Sequence, residues 1–224
     1  MTIAIGQCRV VGVEALAGVV LWLVDLAQPV PAHELACLSS EEHARAARFR
    51  APRDRDRYLR AHARLRQLLA CHTDFAAGEL AFAAGEFGKP RLAQAPALHF
   101  NLAHSDDTAV IAISNAGEVG VDVEVLREVP DASALAVLHF TPEERNELAS
   151  APADQVDRVF LRGWTRKEAC LKAVGVGLSL APSSFEVGLS SGERKVVLQR
   201  PVCTLRLASF EQGEGVIGAV AQLV

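Results

Sequence analysis

The chain has 224 residues, of which 50% are hydrophobic and 22% are charged, so it can bury the core of a soluble globular protein. Its formal net charge of −4 is small, which excludes a global electrostatic attraction to nucleic acid or to a membrane surface. No apolar run reaches the roughly 18 residues that would span a bilayer.

The cysteines give a first indication of the compartment. There are five, an odd number, and they form no C-x-x-C motif, which indicates neither a disulfide framework nor a zinc site. The N-terminus lacks the basic start, apolar run and small-residue cleavage site of a signal peptide. We therefore expect a reduced, cytoplasmic protein.

The first half of the chain predicts a strand, two helices and a series of short strands. The apolar, β-branched run Val19–Leu26 indicates a buried strand. Ser39 and Glu42 have the spacing of a capping box, and Pro52 separates that helix from a longer amphipathic one over Arg53–His72. Four short strands are then expected, at Leu80–Ala83, Leu98–Leu102, Val110–Ser114 and Val119–Val125.

The order of elements then starts again. A second capping box begins at Thr141, 102 residues after Ser39, and leads into a second long helix. Leu98–Ser114 aligns without a gap with Leu205–Ala221, although the identities are few. A shared order of capped helix, long helix and hairpin predicts two similar lobes that join near Asn115–Gly120, with a ligand site in the cleft between them.

One segment is strongly basic. From His43 to Arg66 there are two aspartates against nine arginines, which are Arg45, Arg48, Arg50, Arg53, Arg55, Arg57, Arg60, Arg64 and Arg66. In an acidic protein, such a local surplus of positive charge indicates contact with an anionic ligand or partner.

The stretch GVDVE, Gly120–Glu124, contains two neighbouring carboxylates. Because residues two apart in a strand point to the same side, Asp122 and Glu124 would present their charges together. Two carboxylates, with waters and phosphate oxygens, form a common environment for Mg²⁺. The alternative is a solvated edge strand with its polar face outward, and the motif alone does not decide between them.

The stretch WTRKEACLKAVG predicts a helix that ends at Gly175. Trp164, Glu168 and Lys172 are four residues apart and share one face. Glu168 has the chemistry of a metal ligand or general base, and Lys172 that of a phosphate-binding cation. The alternative is a solvated Glu–Lys surface pair. Trp164 is expected to pack the helix.

Two further stretches offer phosphate contacts. In FGKP, Lys89 lies in a tight Gly/Pro turn, and in FNLAHS, His104 follows an apolar strand. Their alternatives are a solvated turn residue and a hydrogen-bonded structural histidine. Taken with the carboxylates and the basic segment, these stretches indicate a site for a divalent metal and a polyanionic phosphate ligand.

Four stretches of the chain, taken in order, resemble the motifs of the Sfp-type 4′-phosphopantetheinyl transferases. They are F-G-K-P, F-N-L-A-H-S, V-G-V-D-V-E and W-T-R-K-E-A-C-L-K-A-V-G-x-G-L. The resemblance runs from about Ser39 to Leu180. It implies an α+β fold of two similar, pseudo-symmetric α/β lobes, residues 1–116 and 117–224, with the active site in the cleft between them. It also implies transfer of 4′-phosphopantetheine from coenzyme A to a serine of an apo acyl or peptidyl carrier protein, with release of adenosine 3′,5′-bisphosphate.

The resemblance further implies roles for individual residues. Asp122, Glu124 and Glu168 would hold Mg²⁺, or Mn²⁺, against the pyrophosphate of coenzyme A. Glu168 would also act as general base toward the carrier serine, and Lys172 would neutralise charge on the pyrophosphate.

Coenzyme A itself would be bound mainly by residues of the first lobe, which are Arg45, Arg57, Lys89, Pro90 and His104. Of these, the two arginines would grip the 3′-phosphate and adenine side. One position departs from the family pattern: Ala103 stands where many relatives have serine, so that phosphate contact would be lost or supplied by a backbone N–H.

Carrier proteins are usually acidic helical bundles, so exposed arginine or apolar surface is expected to meet the carrier. If the two lobes form the site between themselves, the protein would be a monomer, with neither nucleic acid nor membrane as a partner. The same residues also fit two alternative functions. One is a two-metal phosphoesterase or nuclease, and the other is a non-enzymatic nucleotide-binding module.

Overall fold

The computed structural model describes residues 9–11, 16–85 and 87–224, and in these ranges the chain has the expected α+β fold. The helices are α1 Ala32–Leu35, α2 Ser40–Ala46, α3 Pro52–Ala70, α4 Ala132–His139, α5 Pro142–Ala149 and α6 Val156–Val174. The strands are β1 Arg9–Val11, β2 Val19–Asp25, β3 Phe82–Ala84, β4 Pro90–Leu92, β5 His99–Ser105, β6 Thr108–Ser114, β7 Val119–Val125, β8 Arg194–Gln199, β9 Val202–Gln212 and β10 Val216–Leu223. No helix in these ranges is long and apolar enough to cross a bilayer.

Each half of the chain contributes one four-stranded antiparallel sheet. The strand orders are β1-β2-β6-β5 and β7-β10-β9-β8, and β3 and β4 form a separate two-stranded ribbon. The two segments that align in the sequence both contain a hairpin, β5–β6 in the first sheet and β9–β10 in the second.

Both predicted capping boxes are confirmed, each with reciprocal bonds between the cap residue and the glutamate three residues later. Both glutamates are buried and paired with a cation of the long helix that follows. Glu42 lies 2.7 Å from Arg66, and Glu144 lies 2.7 Å from Lys167. Because a buried carboxylate needs such partners, these pairs anchor α2 on α3 and α5 on α6.

Some element boundaries differ from those expected. Pro52 begins α3 instead of preceding it, since proline is favoured in the first turn, where its missing N–H has no intrahelical partner to lose. The strand expected over Leu80–Ala83 runs over Phe82–Ala84, and Leu80 is buried in the first core. Gly175 ends α6 as predicted, with a left-handed φ of 74°.

The two sheets meet where β7 lies beside β5. Asn101 Oδ1 in β5 accepts a hydrogen bond from the N–H of Val121 in β7 at 2.9 Å. Gln222 Nε2 in β10 donates to Ser114 Oγ in β6 at 3.1 Å. A buried cluster around this junction contains apolar residues of both sheets, among them Leu21, Val110, Val121 and Val220. The junction therefore brings FNLAHS next to GVDVE.

Helix α6 lies directly on β7 at Gly120. A Cβ atom at this position would stand 2.2 Å from the carbonyl oxygen of Ala169 and 2.2 Å from the nitrogen of Ala173. Glycine permits this approach because it has no side chain. The contact holds the Glu168–Lys172 turn of α6 beside Asp122, two residues further along the strand.

The substitution Gly120→Ala tests this contact. We expect it to lower the free energy of unfolding by about 3 kcal/mol, because the new methyl group would meet backbone atoms that no rotamer change can move. Urea denaturation measures the change. Gly192→Ala is the matched control, since a Cβ there meets nothing within 4 Å. Equal stability of the two variants would show that α6 and β7 do not approach this closely.

Candidate active site

Two clefts adjoin at the Gly88–Pro90 turn. The first, here named the α6 cleft, has a volume of about 320 Å³ and is lined by Glu168 and Lys172 among others. The second, named the α2 cleft, has a volume of about 540 Å³ and is lined by Arg45 and by residues of α3. Gly88 and Pro90 border both clefts, so an elongated ligand could lie across the two.

Lys172 pairs with β7 and not with its helical neighbour Glu168. Its Nζ lies 2.6 Å from Asp122 Oδ1. Glu168 is half-buried, and no hydrogen bond or ion pair of its side chain is found within the described ranges. The solvated Glu168–Lys172 pair is therefore not formed, and both groups face the α6 cleft.

Asp122 is a buried carboxylate with one oxygen unpaired. Its exposed fraction is 7%, and its Oδ2 is buried with no hydrogen-bond partner in the described part of the chain. Burial raises its pKa to about 7, and the nearby charges of Glu168 and Glu124 act in the same direction against the opposing effect of Lys172. The burial of Asp122 therefore excludes the alternative in which its carboxylate lies on the solvated face of an edge strand.

Glu124 is held by other partners. Its Oε2 accepts a hydrogen bond from Ser105 Oγ at 2.8 Å and forms an ion pair with Arg127 at 2.7 Å. Among the residues described, no group of three or more His, Cys, Asp or Glu side chains lies close enough to hold a metal ion. The donor types nevertheless fit a hard cation, because Asp122 Oδ2 lacks a partner and Glu168 has none described. The three-carboxylate site stays a prediction.

Trp164 packs as expected. Its ring meets the His139 ring edge-on at 5.1 Å between centroids and stacks near Phe160 at 6.5 Å. It belongs to the margin of the apolar cluster between α4, α5 and α6. This packing orients α6, and Trp164 is not a lining residue of the α6 cleft.

The predicted nucleotide residues have different surroundings. Pro90 is exposed and borders both clefts. The Lys89 ammonium is bonded to Glu118 and to two backbone carbonyls of the second half of the chain. His104 lies at the exposed end of β5. Partial desolvation of its ring, with the charges of Arg57 and Lys172, lowers its pKa. Neither cleft has His104 in its lining.

The two predicted arginines also differ. Arg45 is exposed, lines the α2 cleft and holds its guanidinium 5.6 Å from the centre of the Tyr58 ring. Arg57 is bonded to Asp107 at 2.8 Å and to Asp106 at 3.3 Å, and these bonds raise its pKa. In this geometry Arg45 faces a cleft, whereas Arg57 is engaged with carboxylates.

Most arginines of the basic segment are paired with acceptors of the same chain, some of them at the surface. Six of its nine arginines have hydrogen-bonding acceptors, in the pairs Arg53–Asp107, Arg55–Asp56, Arg57–Asp107, Arg60–Leu26 carbonyl, Arg64–Glu34 and Arg66–Glu42. Within the described ranges, the side chains of Arg48 and Arg50 have no ion pair or hydrogen bond. The surplus of charge available to a ligand is therefore smaller than the sequence indicates.

Three residues without a predicted role shape the site. The Asn101 side chain accepts a hydrogen bond from the backbone of β7 and lines the α6 cleft. Ser105 donates a hydrogen bond to Glu124. Glu118 binds the Lys89 ammonium. The signal for the first two is the alternation in FNLAHS, which places Asn101, Ala103 and Ser105 on one face of β5. Glu118 has no comparable local signal.

Glu42 forms part of the α2 cleft wall and holds it in place. Burial disfavours its charge, but hydrogen bonds from His62 and from the Ser39 N–H, together with Arg66, lower its pKa to about 2. A carboxyl whose pKa is lowered on folding stabilises the fold above its unfolded pKa. That stabilisation is lost as the pH falls toward the folded value.

The substitution Glu42→Gln tests this wall. We expect the parent protein to lose about 3 kcal/mol of this stabilisation between pH 4.5 and pH 2, following the pKa shift of Glu42. In the variant, the free energy of unfolding should fall less steeply over the same pH range. Urea denaturation at a series of pH values measures it, with Glu41→Gln, an exposed neighbour, as control. If the free energy of unfolding of Glu42→Gln depended on pH as steeply as that of the parent protein, Glu42 would not stabilise the fold in this way.

Comparisons with known proteins identify the family. Residues 118–219 match the model described as the 4′-phosphopantetheinyl transferase superfamily, and residues 29–116 match that described as 4′-phosphopantetheinyl transferase, N-terminal. The 4′-phosphopantetheinyl transferase HetI of a Nostoc species is 36% identical, over 83% of this chain and 80% of that protein. The 4′-phosphopantetheinyl transferase psf-1 of Bacillus pumilus is 35% identical, over 78% and 70%.

A Synechocystis protein named provisionally as a 4′-phosphopantetheinyl transferase is 38% identical over 71% of this chain. This chain spans 65% of that relative, just under two thirds of its length. The domain-sized matches to both family models and the identity with HetI lead to one conclusion: the chain belongs to the 4′-phosphopantetheinyl transferase superfamily and is a transferase.

Proposed function

We propose that this protein transfers the 4′-phosphopantetheinyl group of coenzyme A to a serine hydroxyl of an apo acyl or peptidyl carrier protein. The serine oxygen forms a bond to the phosphorus that carries the pantetheine arm. The bond from that phosphorus to the bridging oxygen breaks, and adenosine 3′,5′-bisphosphate leaves. The observation that carries the proposal is the grouping of Glu168, Lys172 and Asp122 in and beside a cleft that adjoins a second one lined by Arg45.

Glu168 is the proposed general base. Its side chain lines the α6 cleft, and it has no partner among the described residues, so its carboxylate is free to accept the serine proton. Lys172 is proposed to neutralise charge on the pyrophosphate and on the leaving phosphate. Its side chain is 31% exposed and lines the α6 cleft while its ammonium is bonded to Asp122, which keeps it within reach of a ligand.

We propose that Mg²⁺, or Mn²⁺, is held by Asp122, Glu124 and Glu168. When bound, the metal would act as a Lewis acid on the pyrophosphate oxygens. The unpaired Asp122 Oδ2 supports this assignment, and so does the high pKa of Asp122, which reflects a buried carboxylate with too little positive charge around it. For Glu124 to bind the metal, its Oε2 would have to give up its bond with Arg127.

The nucleotide is proposed to occupy the α2 cleft, with its pyrophosphate across the Gly88–Pro90 turn in the α6 cleft. Arg45 would bind the 3′-phosphate, because its guanidinium is exposed there and has no carboxylate partner among the described residues. His104 lines neither cleft, so it would donate to a phosphate that extends beyond them. Arg57 would bind the nucleotide only if its guanidinium gave up its bond with Asp106 or Asp107.

The two halves, residues 1–116 and 117–224, are proposed to be pseudo-symmetric lobes with the active site in the cleft between them. The repeated order of capped helix, nineteen-residue helix and hairpin supports this, as does the division of the two family matches near residue 117. A chain that contains both lobes can complete its site as a monomer.

The proposed partner is an acidic carrier protein in the cytoplasm, which fits the exposed cations Arg48 and Arg50. The engagement of six arginines within the protein weakens the alternative of a nucleic-acid-binding module, because fewer cations remain for a phosphate backbone.

Carrier labelling tests the function directly. The protein is incubated with coenzyme A, Mg²⁺ and a panel of apo carriers from fatty-acid, polyketide and nonribosomal-peptide systems, and each carrier is weighed by mass spectrometry. We expect at least one carrier to gain the phosphopantetheinyl mass, and EDTA to prevent the gain. Failure of every carrier in the panel would reject the proposed reaction.

Glu168→Gln tests the catalytic assignment. Removal of the base is expected to lower the rate of transfer by about 100-fold or more. Folding should be retained, because Glu168 is half-buried and has no described partner to lose. Glu143→Gln, an exposed glutamate of α5, is the matched control. Full activity in the Glu168 variant would remove this residue from both the base and the metal roles.

A further inference from the structure

The positive charge of Lys89 is used entirely within the protein. Lys89 lies in the turn between β3 and β4, where its carbonyl accepts from the N–H of Gly85 at 2.8 Å, and its side chain is only 9% exposed. Nζ lies 2.6 Å from Glu118 Oε2, 2.9 Å from the Val119 carbonyl and 3.0 Å from the Ala173 carbonyl. An ammonium has three N–H donors, so these three bonds leave no donor for a ligand.

The two carbonyls belong to the elements that build the active site. Val119 begins β7, three residues before Asp122, and Ala173 directly follows Lys172 in the last turn of α6. Carbonyls in the last helical turn lack an intrahelical partner, and a cation there is favoured by the helix dipole. A single ammonium thus ties the start of the carboxylate strand to the end of the catalytic helix.

The surroundings of Lys89 match this role. Glu118 Oε1 lies 3.3 Å from Arg91 and 3.3 Å from His99, and although burial opposes its charge, Lys89 and these groups lower its pKa. The carboxylate is therefore a stable counter-ion. Gly175 leaves room for the Lys89 stem, since a Cβ there would stand 3.2 Å from Lys89 Cδ.

We propose that Lys89 is a positioning residue of the transfer reaction. It holds the Glu168–Lys172 turn of α6 against β7, and its ammonium does not bind a phosphate of coenzyme A. The inference rests on the proposed function, and it replaces the nucleotide contact that the family resemblance implies for this residue.

Lys89→Met, which keeps the stem and removes the charge, is compared with the parent protein by steady-state kinetics with coenzyme A varied and apo carrier saturating. Rates are normalised to the folded fraction measured by circular dichroism. We expect kcat to fall about 10- to 100-fold, as for a small misplacement of catalytic groups. The KM for coenzyme A should stay within about twofold, because no ligand contact is removed.

Glu118→Gln is the second variant, and it is needed if Lys89→Met folds poorly. It removes the counter-ion while leaving the ammonium in place. Loss of positioning predicts a lower kcat with KM little changed. Direct phosphate binding by Lys89 predicts the opposite, since an ammonium released from Glu118 would bind coenzyme A better and lower the KM. A raised KM with unchanged kcat in Lys89→Met, or unchanged values for both in folded protein, would overturn the proposal.

Arg91→Met is the matched control. Arg91 also approaches Glu118, but its side chain is 61% exposed, and no bond from it to Val119 or Ala173 is found in the described ranges. It should leave kcat and KM unchanged. A fall in kcat equal to that of Lys89→Met would assign the effect to the charge of Glu118 in general and overturn the proposal.

Two readouts do not depend on turnover. Calorimetry with coenzyme A and Mg²⁺, without a carrier, should give the same Kd for Lys89→Met and the parent, and a large loss of affinity would overturn the proposal. Hydrogen exchange should accelerate at residues 119–121 and 172–175 in the variant, and unchanged exchange there would also overturn it. If the parent protein labels no carrier, the proposed function fails, while these two measurements still test the role of Lys89.

Discussion

The direct approach of α6 to β7 at Gly120 is the contact on which the rest of the site depends. A side chain at that position would collide with backbone atoms of Ala169 and Ala173, so the helix and the strand can lie this close only at a glycine. The approach sets Lys172 at 2.6 Å from Asp122 and turns Glu168 into the same cleft. The Lys89 ammonium then bonds to both elements at their ends, which makes the turn between β3 and β4 part of the same support.

Around this contact, the protein pairs nearly every buried charge. Glu42 binds Arg66, Glu144 binds Lys167, and Glu118 binds Lys89. Asp122 Oδ2 is the one buried carboxylate oxygen without a partner in the described part of the chain. Since native structures leave few buried polar atoms unpaired, an exception that lies beside a cleft with Glu168 and Lys172 marks the place where a ligand would complete the electrostatics.

What the sequence predicts well is local. The two capping boxes, the strand of Asp122 and the glycine end of α6 depend on residues within a few positions of one another, and all are confirmed. Partners far apart in the chain were not predictable, because they depend on how the halves pack. Lys89 reaches Ala173, 84 residues away, and Arg57 reaches Asp107, 50 residues away. The family resemblance identified the enzyme class, but it implied ligand contacts for two cations that the free protein engages internally.

We propose that α6 and β7 together hold a divalent metal against the pyrophosphate of coenzyme A. A crystal structure of the protein with coenzyme A and Mn²⁺, with anomalous data collected for manganese, tests it most directly. We expect an anomalous peak in contact with Asp122 and Glu168, with the pyrophosphate beside Lys172 in the α6 cleft. A coenzyme A molecule bound away from that cleft, or a manganese peak with neither carboxylate in its coordination, would contradict it.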